Sequence, residues 1–390
     1  MKLTKLMLSA CVAALALVSC NKEEGPSVDN DFKSVKIEIG NLFLTKSAGE
    51  AIPTGTPVTL NDFRIYLVAG NTIKNTATNE DGTALGAEAF AFESSYPKEI
   101  QYHFVDPSVN KVVALANLTD EQYASITTYD DIKALKLAVA NQQNAGSLAL
   151  YAEGILESAG SQHIPTTDTH KEGENLITNV YKATLNFVPR VSRFELDGFA
   201  VKFLADNKRY NKITINQVAL NNYYPTSVLY NGAEEGNVVD CNPENPADAV
   251  AYLTANTGTE WYADKETIEF TRPSGMTTDQ WVKADLKSNL YYHFFSTSTA
   301  VPELMFQVKT EDLEGSVSST YIYTKNFKNS NGQYIDEFEE GKIYRMNFEG
   351  TSEGDGDVPI SEDDIDQLGR CLDITVTVEK WNVILVTPEF

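Results

Sequence analysis

"RCLDITVTVEKWNVILVTPEF", residues 370–390, decides how the rest of the chain is read. Its first part alternates. Ile374, Val376 and Val378 fall on one side of an extended backbone, and Thr375, Thr377 and Glu379 on the other, which is the period of a strand with one covered face. After a break at Lys380-Trp381-Asn382, a second strand, "VILVTPEF" (383–390), is nearly all apolar and runs to the last residue. Chain ends are ordinarily polar and frayed, so a terminal strand this apolar needs a sheet to join. Pro388 has no N–H to give a ladder and belongs at an edge or just past the paired stretch.

The opposite end poses the complementary problem. In "KIEIGNLFLTKSAGE" (36–50), Val35, Ile37 and Ile39 alternate with Lys36 and Glu38, again as a half-buried strand. Apolar Leu42, Phe43 and Leu44 then lead into Thr45-Lys46-Ser47-Ala48-Gly49, a small, polar stretch built like a protease-sensitive loop. Upstream, residues 1–20 read as an export address: Lys2 and Lys5, the apolar run "LMLSACVAALALV", and "LVSC" ending at Cys20. That run is too short for an ordinary membrane span. "LVSC" has the form of a bacterial lipobox, with Cys20 lipidated and first in the mature chain; the alternative is an ordinary signal peptide cut nearby. "CNKEE" has the form of a surface-export tag, although a solvated charge run explains it nearly as well.

The 390 residues suffice for two ordinary domains. The formal charge of −24 becomes about −26 once Lys2 and Lys5 leave with the signal. So acidic a chain argues against nucleic acid, whose recognition needs basic patches. Of four cysteines, Cys11 leaves with the signal and Cys20 takes the lipid. Cys241 and Cys371 remain, either paired or as two independent thiols.

The body reads as strands rich in Val, Ile, Thr, Tyr and Phe: "DFRIYLVAG", "KVVALANL", "SLALYAEGIL", "YKATLNFVPRVSRFEL", "KITINQVAL", "NLYYHFFST", "ELMFQVKT", "YIYTKNF" and "KIYRMNFE". Asp81-Gly82, Asp197-Gly198, Asn231-Gly232 and Asn331-Gly332 read as turns between them. The fold class expected is therefore all-β, as sandwiches, with a few short helices. Thr119 with Gln122 forms a capping box; Thr128 caps a helix with Ile132, Leu135 and Val139 on one face; Ser361 caps a third that Gly369 ends. Pro189 interrupts a long strand-like stretch, which sets a domain seam near Arg190.

Catalytic and metal chemistry find little purchase. "GTSEG" (350–354) matches a nucleophile elbow in letters, but it opens an acidic stretch instead of joining a strand to a helix. His103, His163, His170 and His293 form no HExxH pair, and there is no CxxC. His163 and His170 flank a polar loop. Asp355, Asp357, Glu362, Asp363, Asp364 and Asp366 are oxygen-rich enough for calcium but lack EF-hand spacing. No catalytic residue, metal ligand or cofactor is assigned. Trp261-Tyr262, Tyr223-Tyr224 and "YYHFF" (291–295) offer a sugar-stacking platform; a strand covered on both faces is the simpler reading of the last.

The ending resembles that of the fimbrillins, pilus subunits of Bacteroidetes, in its "TVTVEKW" strand and short apolar tail. The lipobox at Cys20, "VVALANLTD" (112–120), "LALYAEG" (148–154) and "FVPRVSRFEL" (187–196) are similar as well, in the same order. The resemblance implies two transthyretin-like β-sandwich domains, 47–190 and 191–390, behind a propeptide, 21–46. It implies an outer-membrane lipoprotein precursor cut by a trypsin-like protease at Lys46–Ser47, discarding a strand over Asp31–Leu44. Many relatives carry arginine there, whereas the first arginine here is Arg64; Lys33 and Lys36 lie within the strand. The vacated groove would take the C-terminal strand of another copy, through Val383, Ile384, Leu385, Val386 and Phe390. Burying those five side chains yields roughly 7–15 kcal/mol gross, at ~1.5–3 kcal/mol each, less the cost of ordering and association. Partners implied are further copies in a filament, minor anchor and tip pilins, and the outer membrane through the lipid. An anchor or tip subunit is the nearest rival role, and a surface glycan-binding lipoprotein comes from a different class.

Overall fold

The computed structural model describes residues 28–40, 42–44, 58–77, 84–93, 97–164, 176–206, 208–242, 245–256, 262–295, 299–329, 331–347, 357–366, 371–380 and 383–385. The chain is all-β. Every apolar or alternating run named above, where described, contributes to a strand, and two sheets hold most of the strands up to Pro189. The first has four strands in the order Glu157–Ile164, Leu176–Leu185, Val28–Ile39, Glu99–Val105. The second runs Val188–Pro189, Leu150–Ile155, Lys111–Ala116, Asp62–Ala69, Thr72–Ile73, with Ala91–Glu93 added beside Asp62–Ala69. They pack closely. A Cβ at Gly154 would lie 3.1 Å from both Ala183 Cβ and Thr184 O, so a side chain here fits only if its neighbours give by a few tenths of an ångström.

From Val191 onward most strands join a third, nine-stranded sheet. Its order is Ala263–Thr271, Tyr210–Asn221, Glu303–Asp312, Val317–Asn329, Cys371–Lys380, Lys342–Asn347, Val191–Phe203, Gln280–Phe295, with Asp357–Ser361 also on Val191–Phe203. An aromatic cluster fills it. Phe338 stands edge-on to Phe194, Phe294, Phe327 and Tyr344 at centroid distances of 5.2, 5.3, 5.1 and 4.6 Å. Such contacts add to the burial of large rings. Two short three-stranded sheets complete the fold: Glu234–Glu235, Thr226–Val228, Lys136–Ala138, and Leu42–Leu44, Val383–Leu385, Val58–Thr59.

Helices are short. α1 (Asp120–Ala124) starts in the expected capping box at Thr119, and α2 (Tyr129–Ala134) starts at the expected cap Thr128, where Asp131 completes a second capping box. α2 stops earlier than its apolar spacing predicts. Leu135 turns extended because Lys136–Ala138 pairs with Thr226–Val228, and that tertiary pairing overrides helix propensity. α3 (Pro246–Asn256) has no counterpart in the sequence reading; it lays Ala249 and Leu253 over Cys241 and Met305. α4 (Glu362–Asp366) follows Ser361, while Gly369 lies outside the described residues. Asp197-Gly198 is not a turn: it sits inside Val191–Phe203, where the register to Gln280–Phe295 shifts. Asn231-Gly232 and Asn331-Gly332 do turn, each glycine at positive φ; Asp81-Gly82 lies outside the described residues.

Candidate functional site

The segment expected to be discarded begins as the strand Val28–Ile39, an interior strand of its sheet. It runs parallel to Leu176–Leu185, with Val35 opposite Tyr181 and Ile37 opposite Ala183. It runs antiparallel to Glu99–Val105, with Val35 opposite Tyr102, Lys36 opposite Gln101 and Ile37 opposite Ile100. Val35, Ile37 and Ile39 are buried, as the alternation predicts, and Lys36 and Glu38 are half-exposed. The three apolar side chains contribute roughly 5–9 kcal/mol gross at ~1.5–3 kcal/mol each. The flanking ion pairs, Glu38–Lys182 at 2.6 Å and Lys36–Glu99 at 3.9 Å, are solvent-exposed and add little.

Two polar side chains anchor the strand, and sequence reasoning missed both. Between Lys33 and Val35 the neighbouring strand carries one extra residue: Val105 faces Lys33 and Tyr102 faces Val35, leaving His103 and Phe104 against Ser34. This bulge bends the backbone, with Phe104 at φ +54°. It brings His103 Nδ1 to 3.0 Å from Ser34 Oγ, which also lies 2.8 Å from Thr178 Oγ1. All three residues are buried. Lys33 Nζ donates to the carbonyls of Pro107 (3.0 Å) and Val109, and lies 4.6 Å from the centre of the Tyr181 ring. Burial pulls its pKa below the ordinary lysine value, opposed by Asp106. Only the strand's alternation was legible; the carbonyls and hydroxyls that receive Lys33 and Ser34 come from segments 69 to 144 residues away.

After Gly40 the chain enters a second, separate strand, Leu42–Leu44, so the expected Asp31–Leu44 element is two strands. Leu42, Phe43 and Leu44 pair parallel with Val383, Ile384 and Leu385. On its other side the tail strand pairs parallel with Val58–Thr59. Asn117, in the left-handed region at φ +56°, holds that neighbour: its amide donates to Thr59 O (2.7 Å) and Leu148 O (2.8 Å). The tail thus lies between the strands that precede and follow residues 45–57 in sequence. Cys20, Lys46, Ser47, Val386 and Phe390 lie outside the described residues.

Among the remaining chemical candidates, Glu362 has structural partners. Glu362 is fully buried and accepts from Arg272 Nη2, Leu204 N (2.7 Å) and Tyr210 N (3.1 Å). Among the described residues no group of His, Cys, Asp and Glu is arranged to hold a metal ion. His163 is exposed, and it sits in the edge strand Glu157–Ile164 instead of a loop; His170 and "GTSEG" lie outside the described residues. Tyr223, Tyr292, Phe294 and Phe295 are core residues; Tyr291 is exposed with Arg193 over its ring at 3.8 Å, and Trp261 is outside the described residues. The Cys241 thiol is free and buried, 3.6 Å from Met305 Sδ, and burial pushes its pKa up to about 12.

His293 supplies a pH response. It is buried, with Nδ1 donating to Gln142 O at 2.6 Å. Burial, and then the charge of Arg193, push its pKa from 6.5 down to about 3. Between those values the unfolded chain binds the proton and the folded one does not, so stability falls as pH drops below 6.5. This one group should cost about 2 kcal/mol by pH 5. Urea unfolding of His293→Gln should show a flatter stability profile between pH 7 and 5 than the wild-type chain.

No protein-family model matches the chain, and no curated protein is significantly similar in sequence. Solved structures align over most of the chain at low identity. A candidate cell-adhesion protein from Parabacteroides distasonis is similar at 12% identity and a TM-score of 0.48, over 91% of this chain and 98% of that one. Another from Bacteroides eggerthii is similar at 12% identity and a TM-score of 0.44, over 92% and 98%. A fimbrial anchor protein from Porphyromonas gingivalis is similar at 10% identity and a TM-score of 0.26, over 90% and 99%.

Proposed function

We propose that this chain is a structural, non-catalytic subunit of a cell-surface fimbria. It is exported as an outer-membrane lipoprotein on Cys20, released by proteolysis at Lys46–Ser47, and polymerised by insertion of its C-terminal strand into a neighbouring copy. The observation that carries the reading is the interior position of Val28–Ile39 in its sheet. Only the segment through Lys46 ties that strand covalently to the downstream chain, so one cut leaves it held by hydrogen bonds and apolar contacts alone. Its departure would expose two strand edges and an apolar groove, which a donated strand refills through main-chain bonds.

The pairing of the tail supports the same reading. Val383–Leu385 belongs to a small sheet apart from the nine-stranded one, and one of its two partners, Leu42–Leu44, lies on the segment to be discarded. The distribution of sheets supports two domains, transthyretin-like by resemblance, meeting near Arg190. Partners are other copies in the filament, with anchor and tip pilins at its ends.

Trypsin provides the test. Brief digestion of the purified precursor should yield a product beginning at Ser47 that assembles, seen by intact mass and electron microscopy. Lys46→Gln should lower the rate of that cut by at least about tenfold, given that trypsin needs a basic residue at the cut and exposed loop tips are the preferred sites. A native surface protein that keeps its lipid at Cys20 and forms no filament would assign the anchor role instead.

A further inference from the structure

We infer that the donated tail occupies the groove with Trp381 to Thr387 in the places of Lys33 to Ile39. The inference rests on the strand exchange proposed above and fixes its register.

The groove is chemically uneven, and each position makes a demand. At position 33 it offers the carbonyls of Pro107 and Val109 beside the Tyr181 ring, which suits an N–H donor. At 34 it offers His103 Nδ1 and Thr178 Oγ1, both buried, which require a small polar side chain. At 35, 37 and 39 it takes apolar side chains into the core. The ladder ends at Ile39, whose N–H donates to Lys98 O at 3.1 Å; Gly40 follows.

The tail "WNVILVTP" (381–388) satisfies the demands at 33, 34, 35 and 37 in one alignment. Trp381 brings an indole N–H for the carbonyls and a ring for Tyr181. Asn382 donates and accepts where Ser34 did. Val383 and Leu385 replace Val35 and Ile37, and Thr387 keeps a methyl group where Ile39 stood. Pro388 falls at Gly40, just beyond the ladder, where its missing N–H costs a terminal bond to Leu185 O and its ring displaces the side chains of Asn186 and Thr184, which lie 2.7 and 2.8 Å from a Cβ at this position. A slip of one residue inverts every side chain. It presses Val383 against His103 and Thr178 and sets Pro388 in place of Ile39, forfeiting the bond to Lys98. Slips of two place Lys380 or Ile384 at the Ser34 position.

Disulfide trapping reads the register directly. Gln101 is half-buried on the groove wall opposite Lys36, so Gln101→Cys leaves the core intact. In the inferred register, Ile384 of the neighbouring copy takes the place of Lys36. Gln101→Cys is combined in turn with Val383→Cys, Ile384→Cys, Leu385→Cys and Val386→Cys, trimmed with trypsin, checked for filaments and oxidised. The ladder of crosslinked multimers on a non-reducing gel should be about tenfold stronger with Ile384→Cys than with the others, because a disulfide tolerates only ~3.5–4.5 Å between Cβ atoms. Should Gln101→Cys fail to assemble, Glu99→Cys, opposite Glu38, is read against Val386→Cys in the same way. A ladder strongest with Leu385→Cys overturns the register and leaves strand exchange standing. Filaments without a ladder from any pair, or no filaments even from trimmed wild-type protein, overturn the exchange and the register together.

Discussion

Deleting residues 383–390 should abolish filament formation by the trypsin-trimmed protein while leaving a folded monomer. Val383–Leu385 contributes to a three-stranded sheet of short strands, whereas Cys371–Lys380 lies between two neighbours of the nine-stranded sheet. Losing the first removes pairing with Leu42–Leu44 and Val58–Thr59; losing the second would break a central strand. The monomer should therefore keep its far-ultraviolet circular dichroism and a cooperative melt. Assembly should fall below detection, because the main-chain ladder and the burial of Val383 and Leu385, roughly 3–6 kcal/mol gross from those two side chains at ~1.5–3 kcal/mol each, disappear with the tail. Sedimentation and electron microscopy check it, and unchanged filaments would refute the donor role.

Glu195→Ala should lower stability by about 3–5 kcal/mol in urea unfolding, the range for removing one partner of a buried charge cluster. Glu195 and Arg193 are each about 2% exposed. Glu195 Oε2 accepts from Arg345 Nε at 3.0 Å and Nη2 at 2.7 Å, and its other oxygen accepts from Arg193. Without the carboxylate, two guanidinium groups share a poorly solvated site. Burial already lowers the pKa of Arg193, opposed by Glu195. Replacing all three together, as Arg193→Met, Glu195→Leu and Arg345→Met, should cost far less than Glu195→Ala alone, because no buried charge is then left unpaired. Equal losses in the two variants would show that packing, not charge pairing, sets the stability of this cluster.

The features legible in the sequence are those whose cause is local. The two-residue period at Val35, Ile37 and Ile39 marks a covered strand wherever the strand ends up, and the capping box at Thr119 and the N-cap at Thr128 need only residues a few positions apart. The features that stayed hidden depend on distant partners. α2 ends at Ala134 because Thr226–Val228 arrives to pair with the residues beyond it. Asp197-Gly198 has the composition of a turn, yet flanking pairs with Gln280–Phe295 carry the strand through it. At the site, Lys33 and Ser34 look like exposed polar residues at a strand's start. Their burial follows from a bulge at His103–Phe104 that no short window could reveal. Glu195 likewise meets Arg345 only because Val191–Phe203 and Lys342–Asn347 lie side by side.

The slot filled by Val28–Ile39 has one wall running with its occupant and one running against it. A guest strand can satisfy both ladders in only one direction, since reversal would interchange two different bonding patterns. In the exchange proposed above, successive molecules would all point the same way, and such a head-to-tail contact builds an open fibre when its rotation does not close a ring. That fibre would have two unlike extremities, one with an empty slot and the other with an unplaced tail. Each would call for a different terminating protein.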